Sequence, residues 1–130
     1  MGEVPRRRVL LIDDEPGILK TIGKRLEVAG FDVLTAADGE EGLTKARLGH
    51  PDVIILDLMM PKLNGYEVCA KLKKDPELQR IPVIIFSAKG AAADERLCRE
   101  IGADAYITKS HQGKALVEQI EVILGRFFSS

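Results

Sequence analysis

The sequence predicts an α/β protein: a doubly wound, five-stranded parallel sheet with helices on both faces. Two observations carry that expectation. Short aliphatic runs alternate with stretches of helical apolar spacing, five times over and with short connections, which is the pattern of a parallel sheet with right-handed crossovers. Four of the runs also stop on residues able to do chemistry: Asp13-Asp14, Asp57, Ser87 and Lys109.

The third run is the clearest. Val53 to Leu56 (VIIL) lies between Asp52 and Asp57, too short for a core helix and apolar at every position, as a strand buried on both faces requires. Pro61 and Gly65 then shape a loop before the next helix. The first strand, Val9 to Ile12, ends on Asp13-Asp14-Glu15, and Pro16 suits the first turn of a helix that Asp14 or Glu15 is able to cap. Ile18, Ile22, Leu26 and Ala29 continue that helix to Gly30. A half-exposed second strand follows over 31–36. Asp38-Gly39 forms a turn and cap, and Leu43, Ala46 and Leu48 predict a short helix ending at Gly49-His50-Pro51.

A helix over 65–74 presents Val68, Cys69 and Leu72 on one face and stops at Asp75-Pro76. Residues 82–86 (PVIIF) form a fourth buried strand ending on Ser87. An alanine-rich helix spans 91–101, with Ala91-Ala92-Ala93 predicting a mobile or shallow surface. A fifth strand over 105–108 ends on Lys109, and a last helix over about 113–127 carries Leu116, Ile120, Ile123 and Phe127.

The 130 residues suit one domain. A net charge of −1 gives no global field to recruit nucleic acid or an anionic membrane. The Arg6-Arg7-Arg8 run and the Lys71, Lys73 and Lys74 cluster read as solvated surface, and His111 as a surface residue at a helix start. Cys69 and Cys98 lack metal-ligand spacing and fall on apolar helix positions, so they are expected as reduced core thiols. No apolar stretch approaches the roughly 18 residues of a membrane span, and charges rather than an apolar leader follow Met1. The expected location is the cytoplasm.

Parallel strands point the same way, so their terminal residues share one edge of the sheet. Asp13, Asp14 and Asp57 meet where the strand order reverses. Three carboxylates so close resist ionising together. A hard divalent cation relieves that repulsion, and one or two direct carboxylates plus water suit Mg2+ better than Ca2+. The cluster contains neither histidine nor cysteine, which argues against zinc. A carboxylate is also a competent nucleophile toward phosphorus, and such a transfer needs alignment and charge neutralisation more than covalent help. Lys109 and a cation supply the charge, and the Ser87 hydroxyl supplies a hydrogen bond.

Asp13-Asp14-Glu15-Pro16, Asp57 with Met60-Pro61 and Gly65-Tyr66, Ser87-Ala88, and the run from Gly102 to Lys109 (GADAYITK) together resemble the response-regulator receiver domain of two-component signalling, over nearly the whole chain. The resemblance, not the residues alone, brings the flavodoxin-like strand order 2-1-3-4-5, and a single receiver domain over 1–130 with its core at about 7–127. It implies a phosphorylation-dependent switch that turns over no separate substrate. Asp57 would accept a phosphoryl group from a histidine kinase or phosphotransfer protein. Asp14 and Asp57 would bind Mg2+ directly, Asp13 mainly through water, and the backbone carbonyl of Met59 would be a further ligand. Ser87 would move toward the phosphoryl group and Tyr106 would rotate inward behind it. The downstream partner, a separate protein or a fused effector, is open; direct nucleic-acid or membrane binding by this domain is not expected.

Two competing readings differ at single positions. A Mg2+-dependent phosphatase with an aspartyl-phosphate intermediate, of the haloacid-dehalogenase kind, keeps a second acid two residues after the nucleophile, where this chain has Met59. A degenerate receiver that only binds partners would lack an acid or the lysine, and neither is missing. One departure from the receiver pattern is informative: the usual lysine-proline pair is Lys109-Ser110. A cis bond before Ser110 would cost roughly 2.5–4 kcal/mol, so trans is expected. Phosphorylation is therefore expected to survive with altered switching. Ser110→Pro should change the phosphorylated lifetime or the phosphorylation-dependent affinity for a partner; measured values equal to wild type in both would refute this.

Overall fold

The computed structural model describes residues 6–61, 63–88, 92–109 and 113–128, without the side chains of 92–94 and 126–128. The elements are β1 (Arg8–Ile12), α1 (Pro16–Val28), β2 (Asp32–Ala36), α2 (Gly39–Gly49), β3 (Val53–Leu56), α3 (Gly65–Lys74), β4 (Val83–Ser87), α4 (Ala92–Glu100), β5 (Ala105–Thr108) and α5 (Lys114–Phe128). The strands pair in the order β2-β1-β3-β4-β5, all parallel.

Alternate residues of the central strands feed two separate cores. Leu10, Ile12, Ile54, Leu56, Val83 and Ile85 face α2, α3 and α4. Val9, Leu11, Val53, Ile55, Ile84 and Phe86 face α1 and α5. This is why VLLI, VIIL and VIIF are apolar at every position rather than at every second one. The edge strands β2 and β5 are mostly half-buried. Cys69 and Cys98 are both buried and neither is in a disulfide, and burial pushes the Cys69 thiol up to about 11. Among the described residues, no helix is long and apolar enough to cross a membrane.

Several local expectations change. Leu48 is 76% exposed: five residues beyond Leu43, it points about 140° away from the buried face. Ala29 is exposed at the C-cap, where the chain leaves the helix. Glu15 is the N-cap of α1, but its side chain makes no cap bond. Asp38 does cap α2, accepting from the Glu41 N–H at 2.8 Å. Arg8 is not merely solvated, since its Nε pairs with Asp32 at 2.8 Å and its Nη1 donates to the Gly49 carbonyl at 2.6 Å. Leu116, Ile120 and Ile123 are buried as expected. The expectations for Ala91, Ser110 and His111, and those for the side chains of Ala92, Ala93 and Phe127, lie outside the described residues.

Lys73 is a larger departure. Its Nζ donates to the carbonyls of Ile81 at 2.9 Å and Gln79 at 3.3 Å, and pairs with Asp104 at 3.1 Å. The same Asp104 oxygen accepts from the Val83 N–H at 2.8 Å, so one carboxylate joins α3 to the beginnings of β4 and β5. Lys71 and Lys74 remain exposed, as a solvated helix face would.

Gly65 sets the loop after β3. Its N–H donates to the Leu58 carbonyl at 3.0 Å, and a Cβ would overlap the carbonyl oxygen of Asp57 and stand 2.6 Å from the Leu58 Cα. Those obstacles are backbone and cannot swing aside. Gly65→Ala should destabilise by about 1–3 kcal/mol. Gly23→Ala, in mid-helix with nothing within 4 Å of the added carbon, should be neutral or stabilise by up to about 1 kcal/mol. Urea unfolding of the two variants checks the contrast, and equal midpoints would refute the assignment.

Candidate functional site at the carboxyl edge of the sheet

The backbone ladder brings the chemical residues together. Ile12 pairs with Leu56 in the β1–β3 register, so the next residues, Asp13 and Asp57, leave the sheet side by side. Their backbones stay pinned: Asp13 N–H donates to the Ala36 carbonyl and Asp57 N–H to the Ile12 carbonyl, each at 3.0 Å. Ser87 pairs with Thr108 at the ends of β4 and β5, which puts Lys109 one step beyond the sheet on the same edge.

Asp13 is 1% and Asp57 3% exposed, and Ser87 is fully buried. Carboxylate oxygens of Asp13, Asp14 and Asp57 all lie within 4.8 Å of one another. Lys109 reaches into the group with a side chain 12% exposed: its Nζ stands 2.8 Å from Asp13 Oδ2, 3.2 Å from Glu15 Oε1 and 3.5 Å from Asp57 Oδ1. Asp13 Oδ1 accepts from the Glu15 N–H at 2.9 Å. Asp13 Oδ2 meets the Lys109 charge without the alignment of a hydrogen bond, leaving a buried oxygen with no aligned donor among the described residues.

Burial, then the charge of Asp13, pushes the Asp57 carboxyl from 3.8 up to about 6, against the pull of Lys109 and the Met59 N–H. Burial likewise raises Asp13, with Lys109 opposing. Burial works to lower the Lys109 ammonium, but contact with Asp13 and the charges of Asp57 and Glu15 outweigh it and hold the group above its ordinary value. One lysine thus compensates only part of the buried negative charge. A buried, under-satisfied carboxylate oxygen beside two further carboxylates fits an oxygen-preferring divalent cation, as Mg2+ requires.

Six positions were expected at this edge, with Tyr106 behind it. Asp13, Asp14, Asp57 and Lys109 are brought together directly. Ser87 ends β4 next to them in register. Met59 is exposed, two residues beyond Asp57, and its backbone N–H works to lower the Asp57 carboxyl. Tyr106 is half-buried, packs against the α2–α3–α4 core and lines a groove of about 450 Å³ with Glu95, Ala115, Gln119 and Val122. The sequence reading took Glu15 as a possible cap and a member of the resembling motif, and missed its contact with Lys109. Its one available signal was a glutamate where a helix start favours a shorter side chain.

A family model described as the response regulator receiver domain matches residues 9–121. The chain belongs to the response regulator receiver family. Among curated relatives, ycf27 of Cyanophora paradoxa, named as a probable transcriptional regulator, is 43% identical over 124 residues, which is 95% of this chain and 51% of that protein. This receiver chain spans about half the length of the curated relatives it matches. Among solved structures, the Vibrio cholerae chemotaxis protein CheY4 superposes with a TM-score of 0.87 at 28% identity, over 92% of this chain and all of that one. The Mn2+-bound form of response regulator Rcp1 gives a TM-score of 0.76 at 25% identity, over 95% and 96% of the two chains. The strand order and the five helices expected of a receiver are those observed.

A carboxyl whose folded pKa exceeds its unfolded value favours folding while protonated and loses that advantage as pH rises through the folded value. For Asp57 the loss runs from its ordinary value of 3.8 up to its folded value of about 6 and is nearly complete at pH 6. In the presence of a chelator, Asp57→Asn should stabilise the protein at about pH 7.5 by about 1–3 kcal/mol, with the gain falling to roughly a third near pH 4.5. Urea unfolding at the two pH values measures this, and a gain independent of pH would contradict it.

Proposed function

We propose that this receiver is a switch phosphorylated on Asp57, with a histidine kinase or phosphotransfer protein as donor. The observation that carries the reading is the Asp57 carboxylate, buried at the sheet edge with the Lys109 ammonium 3.5 Å away and two further acids within reach of the same point. An Asp57 oxygen attacks phosphorus, the bond from phosphorus to the donor breaks, and the donor leaves with that electron pair. Asp13, Asp14, Asp57 and the Met59 backbone carbonyl would hold Mg2+, which supplies charge neutralisation on the phosphoryl oxygens when bound. The under-satisfied Asp13 Oδ2, and a similar structure solved in a Mn2+-bound form, support a divalent cation in this fold.

Lys109 donates to one phosphoryl oxygen and Ser87 to another, and the transferred group, a near-dianion, becomes the strongest local partner for both. Ser87 is joined in register to Thr108, two residues from Tyr106, so a pull on β4 is felt on the groove beside α5. Tyr106 turning inward as Ser87 moves would change that surface, and with it the affinity for a downstream protein or a fused effector. Relatives named as transcriptional regulators support an output in transcription, carried by that partner or effector and not by nucleic-acid binding here. We take 1–130 as a single receiver domain, acting in the cytoplasm.

Intact mass after incubation with Mg2+ and acetyl phosphate tests the reading. A labile gain of one phosphoryl group is expected, absent in Asp57→Asn and absent in chelator. No gain with any phosphodonor would leave the degenerate, partner-binding receiver as the better description.

A further inference from the structure

Lys109 is held by three carboxylates of unequal kind. Asp13 and Asp57 are buried and fixed by their backbones, whereas the Glu15 side chain is 60% exposed and reaches Lys109 from outside the acidic cluster. Glu15 is also the N-cap of α1, where a carboxylate would ordinarily bond the free N–H groups of the first turn. It makes no such bond, and α1 has no acid in its first turn to replace it. The side chain is instead extended to Lys109 Nζ at 3.2 Å.

We infer that Glu15 is a positioning residue that draws the Lys109 ammonium outward, limiting its contact with Asp57 to 3.5 Å, until a phosphoryl group displaces it. The inference rests on the receiver reading of Asp57. The geometry suits a reversible hold: an exposed carboxylate loses little hydration in the pair, so the contact is weak and an incoming dianion outcompetes it. Asp13 stands nearer to the ammonium, at 2.8 Å, but it is buried inside the cluster and cannot draw the lysine outward. Glu15 therefore delays the lysine rather than supplying charge to the reaction, and its reach matters as much as its sign.

That distinction decides the experiment. Glu15→Gln removes the charge and keeps the length. Glu15→Asp keeps the charge but is a methylene too short for the contact, and it favours capping α1. In both variants, Mg2+-dependent phosphoryl gain from acetyl phosphate, followed by intact mass, should be faster by about two- to fivefold, the factor an exposed ion pair corresponds to. Before any donor is added, the side-chain 13Cε and 15Nζ resonances of Lys109 should shift in both variants alike. Glu15→Asp behaving as wild type while Glu15→Gln is faster would reduce the effect to net charge and overturn the inference, as would unshifted Lys109 resonances in both. Wild-type protein that takes no phosphoryl group would instead sink the reading of Asp57, with the resonances still deciding for or against the Glu15 hold.

Discussion

Two buried carboxylates side by side are the constraint around which this protein is arranged. Because β1 and β3 pair in register, no choice of rotamer moves Asp13 far from Asp57: the hydrogen-bond ladder fixes their neighbourhood. Like charges at that range are unfavourable, and burial makes them more so. The favourable side is the apolar packing of the same strands, whose side chains fill two cores and are almost wholly removed from water. The central strands thus stabilise the arrangement that their own ends destabilise. Lys109 offsets part of the cost from the far side of the sheet.

The division between fixed and adjustable parts follows the same lines. The acids hang from the central strands, buried on both faces and bonded through their backbones. The lysine follows the half-buried edge strand β5, beside a groove open to solvent. Charge added at the acids therefore acts against a rigid support, and the response falls on the side of the sheet with least packing to lose. A switch needs that asymmetry, since a site equally stiff on all sides would bind without changing shape.

Much of this was legible in the residues. A strand apolar at every position has to be covered on both faces, which already implies helices above and below and ligands at the strand ends. Asp13 and Asp57 were readable because each is the first polar residue after such a run, and Lys109 because it closes the last strand on the same edge. What escaped reading were contacts made by long side chains across the chain's folds. Lys73 looks like its exposed neighbours Lys71 and Lys74 until α3 is set beside the start of β4. Glu15 sits at a helix start, where local rules favour a cap, and only the distant Lys109 explains its direction. Leu48 erred the other way, since an apolar residue just off the helical face has no core to join.

The Lys73–Asp104 pair has a mechanical meaning. Asp104 bonds the first amide of β4 and directly precedes β5, so these two strands are riveted together at the pole opposite the acids. Their far ends carry Ser87 and Lys109, four to five residues away, or roughly 13–17 Å at the rise of a strand. A pair of struts fixed at one end and loaded at the other behaves as a lever: a tilt of a few degrees at the rivet becomes a displacement of about an ångström at the tip. Loosening a salt bridge on the quiet side of the molecule would then blunt its response while leaving the acidic cluster untouched.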